Sequence, residues 1–458
     1  MKRTLLLLFL LFPLLLAAQE GTWSGTLQVQ GSKLRLVFHL QPTAEGWQAT
    51  MDSPDQGVRG IPIDSLQVSA MGVTLQVTPL KARFEGAMLS SELLMGTFSQ
   101  QGFQAPLMLK RGEPERPRRP QEPQKPYPYA EQELTFASRE AGITLSGTLT
   151  IPEGAGPHPA VILVTGSGTQ NRDEEIMGHK PFLVLADRLT RAGYVVFRYD
   201  DRGYGASKEE AAQWAHTTTH HLMLDALGAF DALQCHPKVD PARIVIGGHS
   251  EGGTIAVMAA TTEPRVAGVV SLAGMMTSGA ELLAMQNRAL MLAQGLPTEV
   301  VEGYVRALER LYATWQNESP EAVTADTERL VAEITVGEPL PTPLVENLKQ
   351  VAAGAQNPWL YYFVRLDPLA HIEQLGERPL WAANGMKDLQ VDAEQNLGRL
   401  EKLGRSSVVT RRFEGLNHLF QPCERGVVAE YGQIEITCSE EMMQALIGWL
   451  DQTFSVAR

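Results

Sequence analysis

The N-terminal part of the chain alternates apolar and polar residues. From Gly21 to Leu109 apolar positions recur with a period of two, as at Leu34 and Leu36, which is typical of strands that bury one face. Turn-forming residues recur about every ten positions, as in Ser53–Gly57, and this spacing favours short antiparallel strands. We therefore predict an all-β domain over residues 19–110, a small antiparallel barrel or sandwich of about eight strands.

Further along the chain the pattern changes. Apolar runs typical of buried strands, such as Val161–Val164 and Ile244–Ile246, alternate with helical stretches, such as Phe182–Arg191 and Leu222–Leu233. This alternation requires a mostly parallel sheet with helices on both faces. The pattern predicts an α/β catalytic domain over residues 131–458.

The alternation of strands and helices is interrupted over residues 275–357. Two amphipathic stretches lie there, Leu282–Leu292 and Val300–Trp315, and we interpret the segment as a helical cap inserted into the α/β domain. Strand-like runs resume at Pro379–Ala383 and Val408–Phe413. The cap carries more apolar side chains than one outer helix face needs, so we expect part of it to roof a substrate pocket.

The two predicted domains are separated by a proline-rich segment, residues 111–130. Its prolines lack backbone N–H donors and favour extended polyproline II structure. We therefore interpret the segment as a semi-rigid linker, and the weaker alternative is that a partner protein binds it in a groove. The prolines stand among charged residues at positions Pro114, Pro117, Pro120, Pro123, Pro126 and Pro128.

Residues 1–18 have the features of a secretory signal peptide. Lys2 and Arg3 precede an apolar run, Leu5–Leu16, and small residues follow it. The run is about 12 residues long, whereas a membrane-spanning helix needs about 20, so an uncleaved anchor is the weaker alternative. We expect an exported protein, periplasmic or extracellular, without stable membrane insertion.

Composition and charge restrict the classes of partner. The 458 residues are 44% hydrophobic and 20% charged, which is typical of globular proteins. Lys and Arg number 39 against 52 Asp and Glu, and the formal net charge is −13. Because no basic run is dense enough to neutralise a phosphate backbone, nucleic acid is not expected as a partner.

The three cysteines are too few for a disulfide-built scaffold, and they lack the CxxC spacing of a structural zinc site. We predict neither a metal nor an organic cofactor. An oxidising compartment would allow a disulfide between Cys423 and Cys438. Two unpaired thiols are the alternative, and Cys235 would be the odd cysteine.

The main chemical signal is Gly248-His249-Ser250-Glu251-Gly252, which lies between a strand-like run and a helical run. A serine in a sharp strand-to-helix turn tolerates only small neighbours two positions away, and its hydroxyl then stands above the sheet. A glycine-rich turn without catalytic function is the alternative. The position between a strand and a helix favours Ser250 as a nucleophile.

A serine hydroxyl needs a histidine base oriented by a carboxylate. Asp388 and His418 follow the two resumed strand-like runs, and parallel strands place their carboxyl ends at one sheet edge. Asp392 and Asp367 lie near the same strand, but Asp388 lies in the first turn after it and is favoured. We predict Asp388 as the acid and His418 as the base.

The other histidines are weaker candidates. His249 lies within the serine turn and cannot fold back onto Ser250, while His216, His220 and His221 precede the serine in the chain. Those three lack a carboxylate at ligand spacing, so a surface or helix-entry role is favoured over a metal site. His371, at the end of the cap segment, is a candidate pocket residue.

Gly166-Ser167-Gly168 follows a buried strand-like run and is a candidate oxyanion loop. Glycines let backbone N–H groups approach a substrate oxygen, and the amide of Glu251, after the nucleophile, would be the second donor. A phosphate-binding loop is the alternative, but the Lys of a nucleotide-binding loop is missing. Ser167 and Gly168 are the predicted loop residues, with Ser167 the first choice.

Five motifs follow one another along the chain: GSGTQNRDE at 166–174, YDDRGYGAS at 199–207, GHSEGG at 248–253, GMKDLQV at 385–391 and LNHLFQ at 416–421. Together they make the chain similar to bacterial α/β-hydrolase esterases of the EstD type, related to dienelactone-hydrolase-like and serine-peptidase-like hydrolases. The resemblance implies an α/β-hydrolase fold after an N-terminal β-domain, and carboxylester hydrolysis with Ser250 as nucleophile, Asp388 as acid and His418 as base.

The sequence therefore predicts a serine hydrolase that cleaves small esters of short-to-medium acyl chains through an acyl-enzyme. A peptidase or amidase that uses the same triad is the first alternative. A non-catalytic binding protein on a hydrolase scaffold is the second. Asp200, Arg202 and Gly203 of the second motif are interpreted as structural residues, an Asp/Arg pair and a glycine turn that fix the loop after a strand.

Overall fold

The computed structural model describes residues 19–29, 32–44, 46–54, 58–69, 71–113 and 118–454. The predicted signal peptide and part of the predicted linker, 114–117, lie outside the described residues. The chain divides into two compact units. The first holds the chain up to Arg118 with Ile176–Gly178 and Ala429–Glu435, and the second holds the remainder.

The first unit is one curled antiparallel sheet of nine strands, in the order β4-β3-β2-β1-β9-β8-β7-β6-β5. This is one strand more than the roughly eight that the alternating pattern predicted. Here β4 and β5 form the edges of a single sheet. The strands are β1 (Gly21–Val29), β2 (Ser32–Thr43), β3 (Gly46–Ser53), β4 (Val58–Pro62), β5 (Ser65–Ser69), β6 (Gly72–Val77), β7 (Ala82–Ser90), β8 (Leu93–Gln100) and β9 (Phe103–Arg111).

The alternating pattern buries one face of this sheet. Trp23, Phe38 and Phe84 are among its fully buried side chains, and the rings of Phe38 and Phe84 stack with centroids 5.9 Å apart. The indole N–H of Trp23 donates to the carbonyl oxygen of Gln19 at 2.8 Å, so the buried polar atom is satisfied. These aromatic side chains form the centre of the core of the first unit.

The second unit contains an eight-stranded mixed sheet in the order β10-β11-β13-β12-β14-β15-β16-β17. β10 and β11 are antiparallel to their neighbours, and the strands from β13 to β17 are parallel. The strands are β10 (Ala130–Ala137), β11 (Thr144–Ile151), β12 (His158–Val164), β13 (Val195–Tyr199), β14 (Val239–His249), β15 (Gly268–Leu272), β16 (Leu380–Gly385) and β17 (Val408–Phe413).

Helices follow the parallel strands. They are α1 (Pro181–Arg191), α2 (Thr219–Gln234), α3 (Glu251–Thr262), α4 (Gly279–Ala293), α5 (Thr298–Asn317), α6 (Pro320–Thr324), α7 (Thr327–Ile334), α8 (Thr342–Ala353), α9 (Pro358–Arg365), α10 (Pro368–Gln374), α11 (Ala393–Lys402), α12 (Val428–Tyr431) and α13 (Glu440–Phe454), with 3₁₀ helices at Thr78–Leu80, Gly205–His216 and Gly354–Gln356. The two units together confirm the predicted fold class, an α/β-hydrolase domain preceded by an all-β domain.

Helices α4 to α9 lie between β15 and β16 and form a cap with its own core. Leu308, Leu311 and Trp315 of α5 are completely buried in that core. Leu282 of α4 instead joins the core beneath the cap. Packing of the cap therefore accounts for apolar residues of α5 that the sequence analysis considered for the roof of a pocket.

Two smaller expectations concern histidine and cysteine residues. Nδ1 of His221 accepts the backbone N–H of Thr218 at 3.0 Å at the start of α2, which is a helix-entry role. The structure forms no disulfide among its three cysteines, all of which are described. The suggested Cys423–Cys438 bridge is absent because Cys438 is buried in an apolar cluster, whereas Cys423 is only partly buried and its thiol lies against the Gly415 carbonyl oxygen.

Across the described ranges, none of the helices combines the length and the apolar character needed to cross a membrane.

Candidate active site

Ser250 occupies a strained turn between β14 and α3. The strand ends at His249 and the helix begins at Glu251, so a single residue makes the turn. Its φ of 55° and ψ of −123° lie in a region that non-glycine residues rarely adopt. The Ser250 amide donates to the carbonyl oxygen of Leu272 on β15 at 2.8 Å, which anchors the turn to the sheet.

The glycines two positions from Ser250 are required by close backbone contacts. A Cβ at Gly248 would lie 2.2 Å from the carbonyl group of Gly252. A Cβ at Gly252 would lie 2.1 Å from the carbonyl oxygen of Val164. Both distances are far below van der Waals contact, so any side chain would force the turn away from the sheet. These contacts explain in physical terms the small-residue pattern around the serine.

Asp388 and His418 are hydrogen-bonded to each other. Nδ1 of His418 lies 2.7 Å from Oδ2 of Asp388, and both side chains are almost completely buried. Oδ1 of Asp388 accepts the backbone N–H groups of Gln390 at 2.8 Å and Val391 at 2.9 Å. The carboxylate is thus fixed by its own turn, with one oxygen left for the imidazole.

The strand register brings the segments that carry these three residues to one edge of the sheet. His249 pairs with Leu272, Leu272 with Ala383, and the last residue of β16 with the last residue of β17. The imidazole of His249 lies against that of His418, with ring centroids 4.6 Å apart. His418 therefore lies beside the residue that precedes Ser250.

The rival carboxylates have other roles. Asp392 caps α11, because its Oδ1 accepts the N–H of Gln395 at 2.7 Å. Asp367 caps α10 through the N–H of Leu369 at 3.0 Å. Neither contact involves a histidine, whereas Asp388 contacts His418.

The proposed oxyanion loop is held by two buried carboxyl groups. The amide of Gly166 donates to Oε1 of Glu174 at 2.9 Å, so this amide is already engaged. The Ser167 hydroxyl bonds to the Glu251 carboxylate, and Gly168 is exposed with a φ of 97°. The amides of Ser167 and Gly168, with that of Glu251 at the N-terminus of α3, remain the candidate donors.

Comparison with known proteins identifies the family of the chain. Residues 180–418 match the model of the family described as serine aminopeptidase, S33 (Hydrolase_4). That range contains Ser250, Asp388 and His418. The chain belongs to the serine aminopeptidase S33 family.

This S33 family member is also a homologue of Esterase EstD from Thermotoga maritima. The two are 28% identical over 276 residues, which is 60% of this chain and 58% of the relative. The matched part of the chain therefore spans less than two thirds of the relative's length.

Two solved structures illustrate its structural neighbours. An α/β hydrolase, GrgF, from Penicillium sp. sh18 has a TM-score of 0.43 at 18% identity, and the match covers 71% of this chain and all of the other, 100%. A puromycin-hydrolysing peptidase of Mycobacterium tuberculosis has a TM-score of 0.43 at 14% identity, over 94% of this chain and 54% of the other.

In this S33 family member the segment after β13 holds the candidate oxyanion loop. Asp201 accepts the Thr165 hydroxyl and the Gln170 amide, each at 2.9 Å. Asp200 instead pairs with Arg172. Burial raises the pKa of Asp201 well above its usual value.

Arg202 forms a different ion pair from the one the sequence suggested. Its guanidinium binds both carboxylate oxygens of Asp225, at 2.8 and 2.5 Å, and a carboxylate oxygen of Glu140 at 2.6 Å. Asp225 lies on α2, outside the YDDRGYGAS motif. The interpretation of Arg202 as a structural residue fits this geometry, but its partner is not Asp200.

Glu174 is a site residue that sequence reasoning missed. It lies in the 166–174 motif, is buried, and accepts both the Gly166 amide and, at 3.0 Å, Nδ1 of His249. An acidic residue at the end of a motif that begins with the oxyanion glycines was the available signal.

His371 lines a cavity of about 660 Å³ together with Tyr361, Tyr362 and Arg365. The side chains that line this cavity do not include Ser250. His371 is thus a pocket residue of the cap side, separate from the serine turn.

Proposed function

We propose that this protein is a serine hydrolase that cleaves small carboxylic esters through Ser250, His418 and Asp388. The observation that carries the proposal is the 2.7 Å contact between the His418 imidazole and Asp388, at the sheet edge where the strained Ser250 turn lies. The homology to Esterase EstD and the S33 family membership support an esterase-type hydrolase.

The hydrogen bonds define the state of the base. Because Oδ1 of Asp388 is occupied by two amides, Oδ2 accepts a hydrogen bond from the Nδ1–H of His418. Nε2 of His418 is then the basic nitrogen and takes the Ser250 hydroxyl proton during attack on the ester carbonyl. Asp388 stabilises the imidazolium that forms.

The N-terminus of α3 would stabilise the negative charge that forms in the next step. The carbonyl oxygen becomes negatively charged in the tetrahedral intermediate, and the Glu251 amide with those of Ser167 and Gly168 would donate to it. Collapse transfers the His418 proton to the alcohol and leaves Ser250 acylated. Water, activated by the same nitrogen, then releases the acid and restores the serine.

Covalent labelling tests the nucleophile. A fluorophosphonate probe is expected to modify Ser250 in the folded protein, and neither heat-denatured protein nor Ser250→Ala should be labelled. Ser250→Ala should also lose hydrolysis of p-nitrophenyl acetate while its melting temperature stays unchanged. Folded protein without labelling would favour the non-catalytic scaffold.

A preference for short-to-medium acyl chains is part of the proposal. It is supported by helix α9 of the cap, whose Trp359 bonds to Glu251 beside the nucleophile. Each methylene that the pocket covers contributes at most about 0.8 kcal/mol, so kcat/KM should rise over the first carbons and then fall. A series from p-nitrophenyl acetate to palmitate tests this, and a maximum at palmitate would contradict it.

Peptide hydrolysis is the second candidate, because the family is described as serine aminopeptidase. The same triad can cleave an amide once the leaving nitrogen is protonated. Comparing kcat/KM for an aminoacyl p-nitroanilide with that for the matching p-nitrophenyl ester decides between them. We expect the ratio of kcat/KM for the ester to kcat/KM for the anilide to exceed the ratio of their uncatalysed hydrolysis rates in water.

A further inference from the structure

His249 contacts two different parts of the site. Its Nδ1 lies 3.0 Å from Oε1 of Glu174, and its Nε2 lies 2.9 Å from the backbone carbonyl oxygen of His418. The side chains of His249 and Glu174 are 8% and 3% exposed. Because a carbonyl oxygen can only accept, Nε2 of His249 carries a proton.

The Glu174 carboxylate is shared in the same way. Its Oε1 also accepts the Gly166 amide at 2.9 Å, while its Oε2 is buried without a hydrogen-bond partner among the described residues. A buried carboxylate in these surroundings is stable only beside a positive charge. A second proton, on Nδ1 of His249, supplies it.

We propose that His249 and Glu174 form a buried imidazolium–carboxylate pair that positions the catalytic base and the oxyanion loop relative to each other. The inference rests on the proposed function, since it assigns His418 as base and the 166–168 segment as oxyanion loop. Both members are positioning residues: the pair connects the Gly166 amide, through one shared oxygen and one imidazole, to the backbone of His418.

Charged and titratable groups from several segments face His249. Glu174 approaches from the loop after β12, His418 and the charge of Asp388 from the loops after β17 and β16, and Cys438 lines the small cavity beside the pair. Burial alone would lower the pKa of His249, but the charge and hydrogen bond of Glu174, the His418 carbonyl and Asp388 raise it.

Replacement by the isosteric amide separates this role from simple packing. In Glu174→Gln the amide oxygen can still accept from Gly166, but without the carboxylate charge His249 loses its second proton as the pH rises. A neutral His249 then presents a lone pair either to the amide oxygen or to the His418 carbonyl. One of the two connections fails, and it fails only at high pH.

The experiment is the pH profile of kcat/KM on p-nitrophenyl acetate for wild type, Glu174→Gln and Glu175→Gln. Glu175 is the exposed neighbour and serves as the matched control. We expect Glu174→Gln to be within about threefold of wild type at pH 5 and about tenfold lower at pH 9, because a small misplacement of a catalytic group is costly. Glu175→Gln should follow wild type throughout. An equal loss at both pH values, or no loss, would overturn the proposal.

A second variant and a measurement without turnover complete the test. His249→Gln cannot take up a proton, so its loss of activity should be the same at pH 5 and pH 9. In protein labelled with ¹⁵N-histidine, one imidazole of wild type should keep both protons to a higher pH than in Glu174→Gln, and spectra in which every histidine loses its second proton at the same pH in the two proteins would overturn the pair. This spectrum requires no ester hydrolysis, so it distinguishes failure of the pair from failure of the proposed function.

Discussion

The indole N–H of Trp359 donates to both carboxylate oxygens of Glu251, at 2.9 and 3.1 Å. Trp359 belongs to α9 of the cap, and Glu251 is the residue that follows Ser250. The same carboxylate accepts the Thr219 hydroxyl at 2.7 Å, and burial raises its pKa. The cap is therefore hydrogen-bonded directly to the start of α3, the helix that follows Ser250.

Replacing Trp359 by Phe tests this connection. The ring remains but a donor to a buried carboxylate is lost, so we expect a loss of about 1–3 kcal/mol in stability. Because the cap is then held less firmly over the site, KM for a medium-chain ester should rise more than kcat falls. Thermal unfolding and steady-state kinetics measure both effects.

Trp449→Phe is the matched control, because Trp449 lies on α13 and packs edge-to-face against Phe454. It should leave KM unchanged. If both variants raise KM equally, the effect comes from general destabilisation and the direct connection is not needed.

A second prediction concerns the backbone of the serine turn. Gly252→Ala would place a methyl group 2.1 Å from the Val164 carbonyl oxygen, and a rigid strand cannot yield that much. We expect a loss of at least about 3 kcal/mol, seen as a lower melting temperature or insoluble protein.

Gly398→Ala is the opposite case. Gly398 lies within α11, and a Cβ there meets no heavy atom within 4 Å. Alanine should stabilise the protein by about 0.5–1 kcal/mol, because a helical glycine costs chain entropy. Equal effects of the two substitutions would show that the close contact at Gly252 is not what restricts that position.

These glycines also show why the serine turn was predictable from sequence. Gly248 contacts Gly252 inside one strand-turn-helix unit, so the local spacing contains this information, whereas Gly252 contacts Val164 at the end of the neighbouring strand β12. To predict that Asp388 and His418 lie close together, one further rule is needed: the carboxyl ends of parallel strands lie at one edge of the sheet. Their contact follows from the adjacent positions of β16 and β17 in the sheet, and the hydrophobic runs predicted both strands.

Other features depend on distances in space that no local pattern contains. Glu174 and His249 are 75 positions apart, and their contact depends on the path of an irregular loop. Arg202 binds Asp225 on α2, although the motif itself offered a nearer aspartate. Amphipathic periodicity predicted the helices of the cap, but it did not show that Leu308 and Leu311 pack inside the cap.

Glu263 provides a prediction on acid stability. Its carboxylate is bound by Arg265 at 2.9 Å and by Arg139 at 2.7 Å, and these hydrogen bonds lower its pKa. A lowered folded-state pKa adds stability above the usual carboxyl value, and this contribution is lost as the pH falls toward the folded-state value. Glu263→Gln should cost about 1 kcal/mol at pH 7.

The difference between wild type and Glu263→Gln should shrink as the pH falls below about 4. Melting temperatures at pH 7 and pH 3 measure it. Glu333→Gln removes a partner of Arg329 in an exposed pair, which should be worth less than about 0.5 kcal/mol at either pH. A pH-independent loss in Glu263→Gln would assign the effect to packing.

The last prediction separates Asp388 from its nearest rival. In Asp388→Asn the side-chain oxygen must remain toward the amides of Gln390 and Val391, so the NH₂ group faces Nδ1 of His418. That group donates to Nδ1, so the imidazole proton lies on Nε2. Nε2 is the atom that must be unprotonated to act as the base. We expect kcat to fall by about 10³-fold or more while the fold is retained, because the imidazole is held in the wrong tautomer. In Asp392→Asn the asparagine can still cap α11 through Gln395, so kcat should stay at the wild-type value. Stopped-flow or steady-state hydrolysis of p-nitrophenyl acetate by both variants gives the comparison, and a larger loss in Asp392→Asn would transfer the acid role to Asp392.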